Sequence, residues 1–166
     1  MTAPEKTFTF TPIGHVRSPF TEQAGTPIQS AVARDAVGQI VLSEEYVPAL
    51  KDVEGFERLW VIFVLDRAAP PRLQVTPYRD TVERGVFATR APSRPNPIGL
   101  SVVRLERIEG NVLHIRGLDM LDGTPVLDLK PYVSEFDSYA DSKAGWLDAR
   151  RAAAGHADAR FAKPSR

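Results

Sequence analysis

The side chains in this sequence capable of chemistry sit where apolar runs end. Residues 85 to 99, GVFATRAPSRPNPIG, carry Arg90, Arg94 and Asn96 on a loop braced by Pro92, Pro95 and Pro97. Each proline fixes φ near about −65° and biases its predecessor toward extended geometry, so polar groups on such a loop lose little entropy on being held in place. The most apolar run, Leu59 to Leu65 (LWVIFVL), stops at Asp66-Arg67. Thr26-Pro27-Ile28-Gln29 sets an amide behind a proline. Asp119 to Thr124, and Asp128 with Lys130 and Tyr132, complete the set. Arginine outnumbers lysine 16 to 5, and its planar fork suits carboxylates, phosphates and base edges. If the strands bearing these groups close into a barrel, the groups meet at one rim, where they suit a zwitterionic or nucleoside-like ligand. Spacing alone leaves the plainer alternative open: solvated strand ends, a stiff turn, and an arginine excess that reflects only composition.

Other chemistries are excluded more firmly. The sequence has no GxSxG elbow, no HExxH, no GxxxxGK[ST] loop and no GxGxxG turn between a strand and a helix, so hydrolase, zinc-protease, P-loop and Rossmann readings all fall away. It has no cysteine, which removes disulfides, thiolate ligands and thiol nucleophiles and fits a cytoplasmic protein. His15, His114 and His156 are far apart, so no metal site is expected. No apolar run approaches the roughly 18 residues that span a bilayer, and MTAPEKTFTF lacks the apolar stretch of a secretory signal. Net charge is zero, which gives no general electrostatic grip on nucleic acid. The charges are nevertheless segregated. Residues 58 to 94 hold seven arginines against Asp66, Asp80 and Glu83, whereas residues 119 to 141 hold six acids against Lys130.

The elements that must position these groups are mostly short strands. Phe8 to Val16, Val37 to Leu42, Leu59 to Leu65, Val75 to Tyr78, Gly85 to Ala88, Leu100 to Ile108, Val112 to Leu118 and Val126 to Leu129 read as strands, with Leu59 to Leu65 buried on both faces. Residues 21 to 35 form a long loop. Ser43 caps a helix over Glu44 to Lys51. Glu109-Gly110-Asn111 is a hairpin turn and Asp122-Gly123 a second turn. In the strands flanking the hairpin, Val103, Leu105 and Arg107 share one face, and Leu113 and Ile115 oppose His114, a strand-surface residue. Asp141 to Ala162 reads as an alanine-rich helix kinked at Gly155, and Lys163 to Arg166 should fray. With 166 residues, the fold expected is one strand-dominated domain with one or two short helices, an all-β barrel or an α+β fold, followed by a C-terminal helical tail over 141–166.

The segments FATRAPSRPNPIGLSVVRLERIEGN and GLDMLDGTPVLDLKPY, with PIGHVRSPF and GFERLWVIFVLDR, resemble the TsaA-like (TrmO) family of tRNA methyltransferases. These motifs stand in order over residues 11 to 134. The resemblance implies an S-adenosylmethionine-dependent enzyme that methylates N6 of threonylcarbamoyl-adenosine beside the tRNA anticodon. It also implies a mainly β fold, a compact single-sheet β-barrel over residues 1–140, and a homodimer with the cofactor near the subunit interface. The cofactor-binding residues it implies are Pro27, Ile28, Gln29, Asp66, Arg67, Arg90, Leu100, Leu121, Asp122, Gly123 and Thr124. It gives Arg94, Asn96 and Lys130 as substrate contacts, with Asp128 and Tyr132 also in its motifs. The nitrogen must lose a proton on methylation, and the candidates for base or proton relay are Asp122, Asp128 and Tyr132. Where the family often has a basic residue, this chain has Ile28. Longer members carry a further C-terminal domain thought to help hold tRNA, and here an alanine-rich tail stands in its place. The alternatives that stay open are a regulatory S-adenosylmethionine-binding module and a methyltransferase acting on a small metabolite or another RNA.

Overall fold

The computed structural model describes residues 6–29, 31, 33–150 and 157–162. The main strands are β1 (Gly14–Arg17), β2 (Val37–Leu42), β3 (Arg58–Val64), β6 (Ile98–Glu109), β7 (Val112–Arg116) and β8 (Pro125–Pro131); β4 (Gln74–Val75) and β5 (Arg84–Gly85) are two-residue pieces. The six longer strands close into one barrel in the order β1-β2-β7-β6-β3-β8, while β4 and β5 pair separately. Every pairing is antiparallel. The mainly β barrel expected from the sequence is the fold observed.

A barrel this narrow is filled by its own side chains. Val16, Ile40, Val61, Val103, Leu113 and Val126 point inward and are fully buried, and Leu118 and Met120 join them. Each such side chain contributes about 1.5–3 kcal/mol by leaving water. The β6–β7 turn is the two-residue link Gly110-Asn111, with Gly110 in the left-handed region at φ 60°. The Asn111 Nδ2 donates to Leu42 O at 2.7 Å and pins the turn to β2.

Several expectations need correction. β1 is only Gly14–Arg17, so Phe8 to Ile13 lies outside it, and Phe8 and Phe10 are exposed. In β3, Leu59, Val61 and Phe63 are buried, but Trp60, Ile62 and Val64 are half-exposed, because a sheet closed on itself has only one interior face. Arg107 does not share a face with Leu105. A register shift between Leu105 and Arg107 leaves Glu106 unpaired, turns Arg107 outward beside His114 and brings Ile108 against the core. His114 is a surface residue as expected, with Nε2 2.8 Å from Glu109. Residues 86–88 form a 3-10 turn after β5 rather than more strand. Glu44–Leu50 is likewise 3-10, and Ser43 makes no side-chain cap.

The described part of the tail is not a long helix. Its described residues form two short 3-10 turns, Gly145–Arg150 and Ala159–Phe161. Gly155 and Lys163 to Arg166 lie outside the described residues. Phe161 is buried with Val75, Val86 and Ala91 in a small second core. Ala69 N donates to Phe161 O at 2.9 Å, tying the tail to the chain after β3.

Candidate active site

At one rim of the barrel β3 ends opposite the start of β6, with Phe63 facing Gly99 and Val64 facing Ile98. Gly99 is required there: a Cβ on it lies 2.2 Å from the Phe63 ring. The proline loop enters this rim through Leu65 N, which donates to Pro97 O at 2.7 Å. A cavity of about 570 Å³ opens here. Phe63, Leu65, Met120 and Leu121 supply apolar wall, and Gln23, Gln29, Asp66, Arg67, Arg90 and Asp119 supply polar groups.

The structure brings most of the sequence-predicted residues to this cavity. Pro27, Ile28, Gln29, Asp66, Arg67, Arg90, Leu100, Leu121 and Thr124 line it, as do Arg94 and Asn96. The Arg90 Nη1 donates to Gln29 Oε1 at 2.6 Å, so the 21–35 loop is latched to the proline loop. Arg94 faces its own loop, with Nη1 donating to Thr89 O at 3.0 Å and Ala91 O at 3.2 Å. Asp122 and Gly123 stand behind the wall. Asp122 Oδ1 accepts from Ser18 N at 3.0 Å, its carbonyl accepts from Arg67 Nη2 at 2.5 Å, and Gly123 makes the turn at φ 77°.

Asp128, Lys130 and Tyr132 are not among the lining residues. Strict alternation would set Asp128 and Lys130 on the inner face with Val126. A register shift in β8 at Leu127 breaks that alternation: Val126 pairs with Phe63 but Asp128 pairs with Ile62 and Lys130 with Trp60. Both charges therefore share the outer face and pair with each other at 2.9 Å. Tyr132 packs on Trp60 at the other end of β3, its N donating to Arg58 O at 3.0 Å.

Sequence reasoning missed other groups. Gln23, Tyr78, Phe87 and Ser101 all line the cavity. Ser101 is buried and its Oγ donates to Asp119 Oδ1 at 2.7 Å. Its signal was present in the inward register of Val103, two residues on. Asp119 stood out as the start of a polar segment, but nothing in the sequence set it apart from Asp122. Burial pushes the Tyr78 phenol well above its ordinary value, the nearby Asp158 adds to this and Arg160 opposes it; at neutral pH Tyr78 is a hydrogen-bond donor and no base. Among the described residues no group of acids or histidines is placed to hold a metal ion, and no helix is long and apolar enough to cross a membrane.

Residues 15–138 match the family model for the tRNA-methyltransferase O N-terminal domain. The chain belongs to the tRNA-methyltransferase O family. Among curated members it is 49% identical over 139 residues to a probable S-adenosyl-L-methionine-binding protein of Pyrococcus abyssi, covering 84% of this chain and 76% of that one. It is 36% identical over 140 residues to the tRNA (adenine(37)-N6)-methyltransferase of Mus musculus, covering 76% of this chain and 31% of that one. The crystal structure of TrmO from Pseudomonas aeruginosa superposes with a TM-score of 0.74 at 43% identity, covering 87% of this chain and 65% of that one. The chain thus spans most of the archaeal relative, but under two thirds of the solved structure and about a third of the mouse enzyme.

Proposed function

We propose that this chain methylates N6 of threonylcarbamoyl-adenosine beside the anticodon of tRNA, with S-adenosylmethionine held in the rim cavity. The coarser activity, S-adenosylmethionine-dependent methyl transfer, is that of the family to which the chain belongs. The observation that supports the cofactor's place is the mixture of charges lining the cavity: the guanidiniums of Arg67 and Arg90 and the carboxylates of Asp66 and Asp119, beside Phe63, Leu65, Met120 and Leu121. A ligand carrying both a carboxylate and an ammonium group finds an opposite charge for each, while the apolar wall accepts its purine. When bound, S-adenosylmethionine supplies a methyl group already activated on a sulfonium.

The protein's share is to orient the acceptor, exclude water and take a proton. The Arg90–Gln29 latch closes one side of the cavity. Asp119, oriented by Ser101, is the carboxylate we assign to receive the proton that N6 loses. Asp128 and Lys130 instead belong to a dimer face. Beside that ion pair the outer face exposes apolar groups: Ile98 is 46% and Leu100 51% exposed, and Phe136 is exposed on the turn (Ser134–Asp137) tied to Trp60 by a 3.2 Å bond from Nε1 to Asp137 Oδ2. Exposed apolar patches of this kind mark association surfaces. Leu100 also lines the cavity, so a second copy docked here sets the cofactor near the interface.

The test is incubation with labelled S-adenosylmethionine and bulk tRNA, then nucleoside mass spectrometry. A new methyl on threonylcarbamoyl-adenosine is expected; cofactor binding without that methyl overturns the assignment. In that case the second reading gains, a binding module without turnover, which the archaeal relative's description as a binding protein favours.

A further inference from the structure

A second cavity, of about 490 Å³, adjoins the first and shares Ile28, Gln29, Tyr78, Phe87, Thr89 and Arg90 with it. Its own wall includes Arg79, Trp146 and Phe161. Among the described residues the lining is aromatic and cationic and contains no carboxylate.

Two of its rings are set in place. The Trp146 Nε1 donates to Ala88 O at 2.8 Å, and the Arg84 guanidinium lies 5.5 Å over the ring. Arg84 is itself clamped by the buried Asp80 through bonds of 2.9 and 2.8 Å. Phe87 is 79% exposed, yet its neighbour Val86 is buried and Thr89 Oγ1 donates to Val86 O at 2.9 Å. The chain therefore holds a large apolar ring in solvent, at the boundary of two cavities, from a fixed turn. Neither core packing nor the cofactor accounts for the far wall formed by Trp146 and Arg79.

Flat apolar faces accept any nucleobase, and guanidiniums accept the phosphates that join it to its neighbours. The volume lies within the range of ligand pockets, about 300–1,000 Å³. We propose that the second cavity binds the nucleobase flanking the methyl acceptor in a single-stranded RNA loop, with that base against the Phe87 and Trp146 walls and Arg79 and Arg90 facing its phosphates. This rests on the RNA reading given above and adds to it a specificity subsite next to the methyl donor. It also gives a chain of zero net charge a local grip on RNA.

The experiment uses an anticodon stem-loop RNA with 5-iodouridine at each nucleotide flanking the acceptor. Irradiation and peptide mass spectrometry should place the crosslink on Phe87 or Trp146. In parallel, Trp146→Leu should weaken RNA binding roughly 5- to 150-fold, the range for one base–aromatic stack. Its affinity for S-adenosylmethionine should stay within about twofold, since Trp146 does not line the first cavity. Crosslinks elsewhere, with RNA affinity unchanged in Trp146→Leu, overturn the subsite and leave the methyltransferase reading standing. If that variant fails to fold, the crosslink position in the unaltered chain decides alone. Failure of any stem-loop to bind a protein that still binds the cofactor overturns the RNA reading itself, and the subsite with it.

Discussion

Replacing Gly99 with alanine tests the construction of the site most directly. A Cβ at Gly99 meets three atoms of the Phe63 ring at 2.2, 2.3 and 2.7 Å, where ordinary contact begins at 3.4 Å. The ring must move by roughly 1 Å or more, and it is 6% exposed with its strand register fixed opposite Gly99. Overpacking of this kind costs about 1–3 kcal/mol. The lower entropy of the unfolded alanine chain offsets about 0.4–1 kcal/mol of that. The net loss is then about 1–2 kcal/mol, a fall in Tm of roughly 2–8 °C for a chain of this size. Phe63 also lines the rim cavity, so the displaced ring should lower S-adenosylmethionine affinity as well. Thermal unfolding and calorimetric titration read the two effects. The double variant Gly99→Ala with Phe63→Leu should be more stable than the sum of the single losses, because the smaller side chain makes room. Strict additivity, or a Gly99→Ala chain with unchanged Tm and affinity, refutes the reasoning.

Arg94→Ala removes the donors that hold the Thr89 and Ala91 carbonyls; a stability loss of about 1–3 kcal/mol is expected by denaturant unfolding, with the proline loop becoming more open to proteolysis. Asp128→Asn should leave single-turnover methyl transfer unchanged, because Asp128 lies on the outer face; a large fall in that rate returns it to the catalytic group. Its salt bridge to Lys130 is half-exposed, so its effect on stability should be small. The Arg84 guanidinium, with help from the Thr81 and Val82 amides and against burial, holds the Asp80 carboxyl below its usual 3.8. A carboxylate with a depressed folded value stabilises above its unfolded value, and that stability is lost as pH falls through the folded one. Asp80→Asn should therefore lower Tm near pH 7, and the gap to the unaltered chain should narrow as pH falls below the usual 3.8 and through the depressed folded value; a gap constant with pH excludes the linkage.

Much of the architecture was legible in the sequence because it rests on local chemistry. A short, wholly apolar run marked Leu59 to Leu65 as a strand, and alternation marked the strands flanking the Gly110 hairpin. Gly110 and Gly123 marked turns that only a left-handed backbone makes, at φ 60° and 77°. Prolines marked the stiff loop that carries Arg90 and Arg94. The motifs fixed the family and named eleven of the residues that line the first cavity.

Tertiary structure decided which face each side chain took. One extra residue in β8 turned Asp128 and Lys130 outward, and one in β6 did the same for Arg107. A single-residue bulge inverts every side chain beyond it, and its cost and compensation lie in the neighbouring strand. The same holds for Asp119, Gln23 and Trp146, distant in sequence and gathered at the two cavities only by barrel closure and docking of the tail. Sequence determined the parts and their order. Closure of the sheet chose which polar groups met, because register and bulges are properties of paired strands and not of one strand alone.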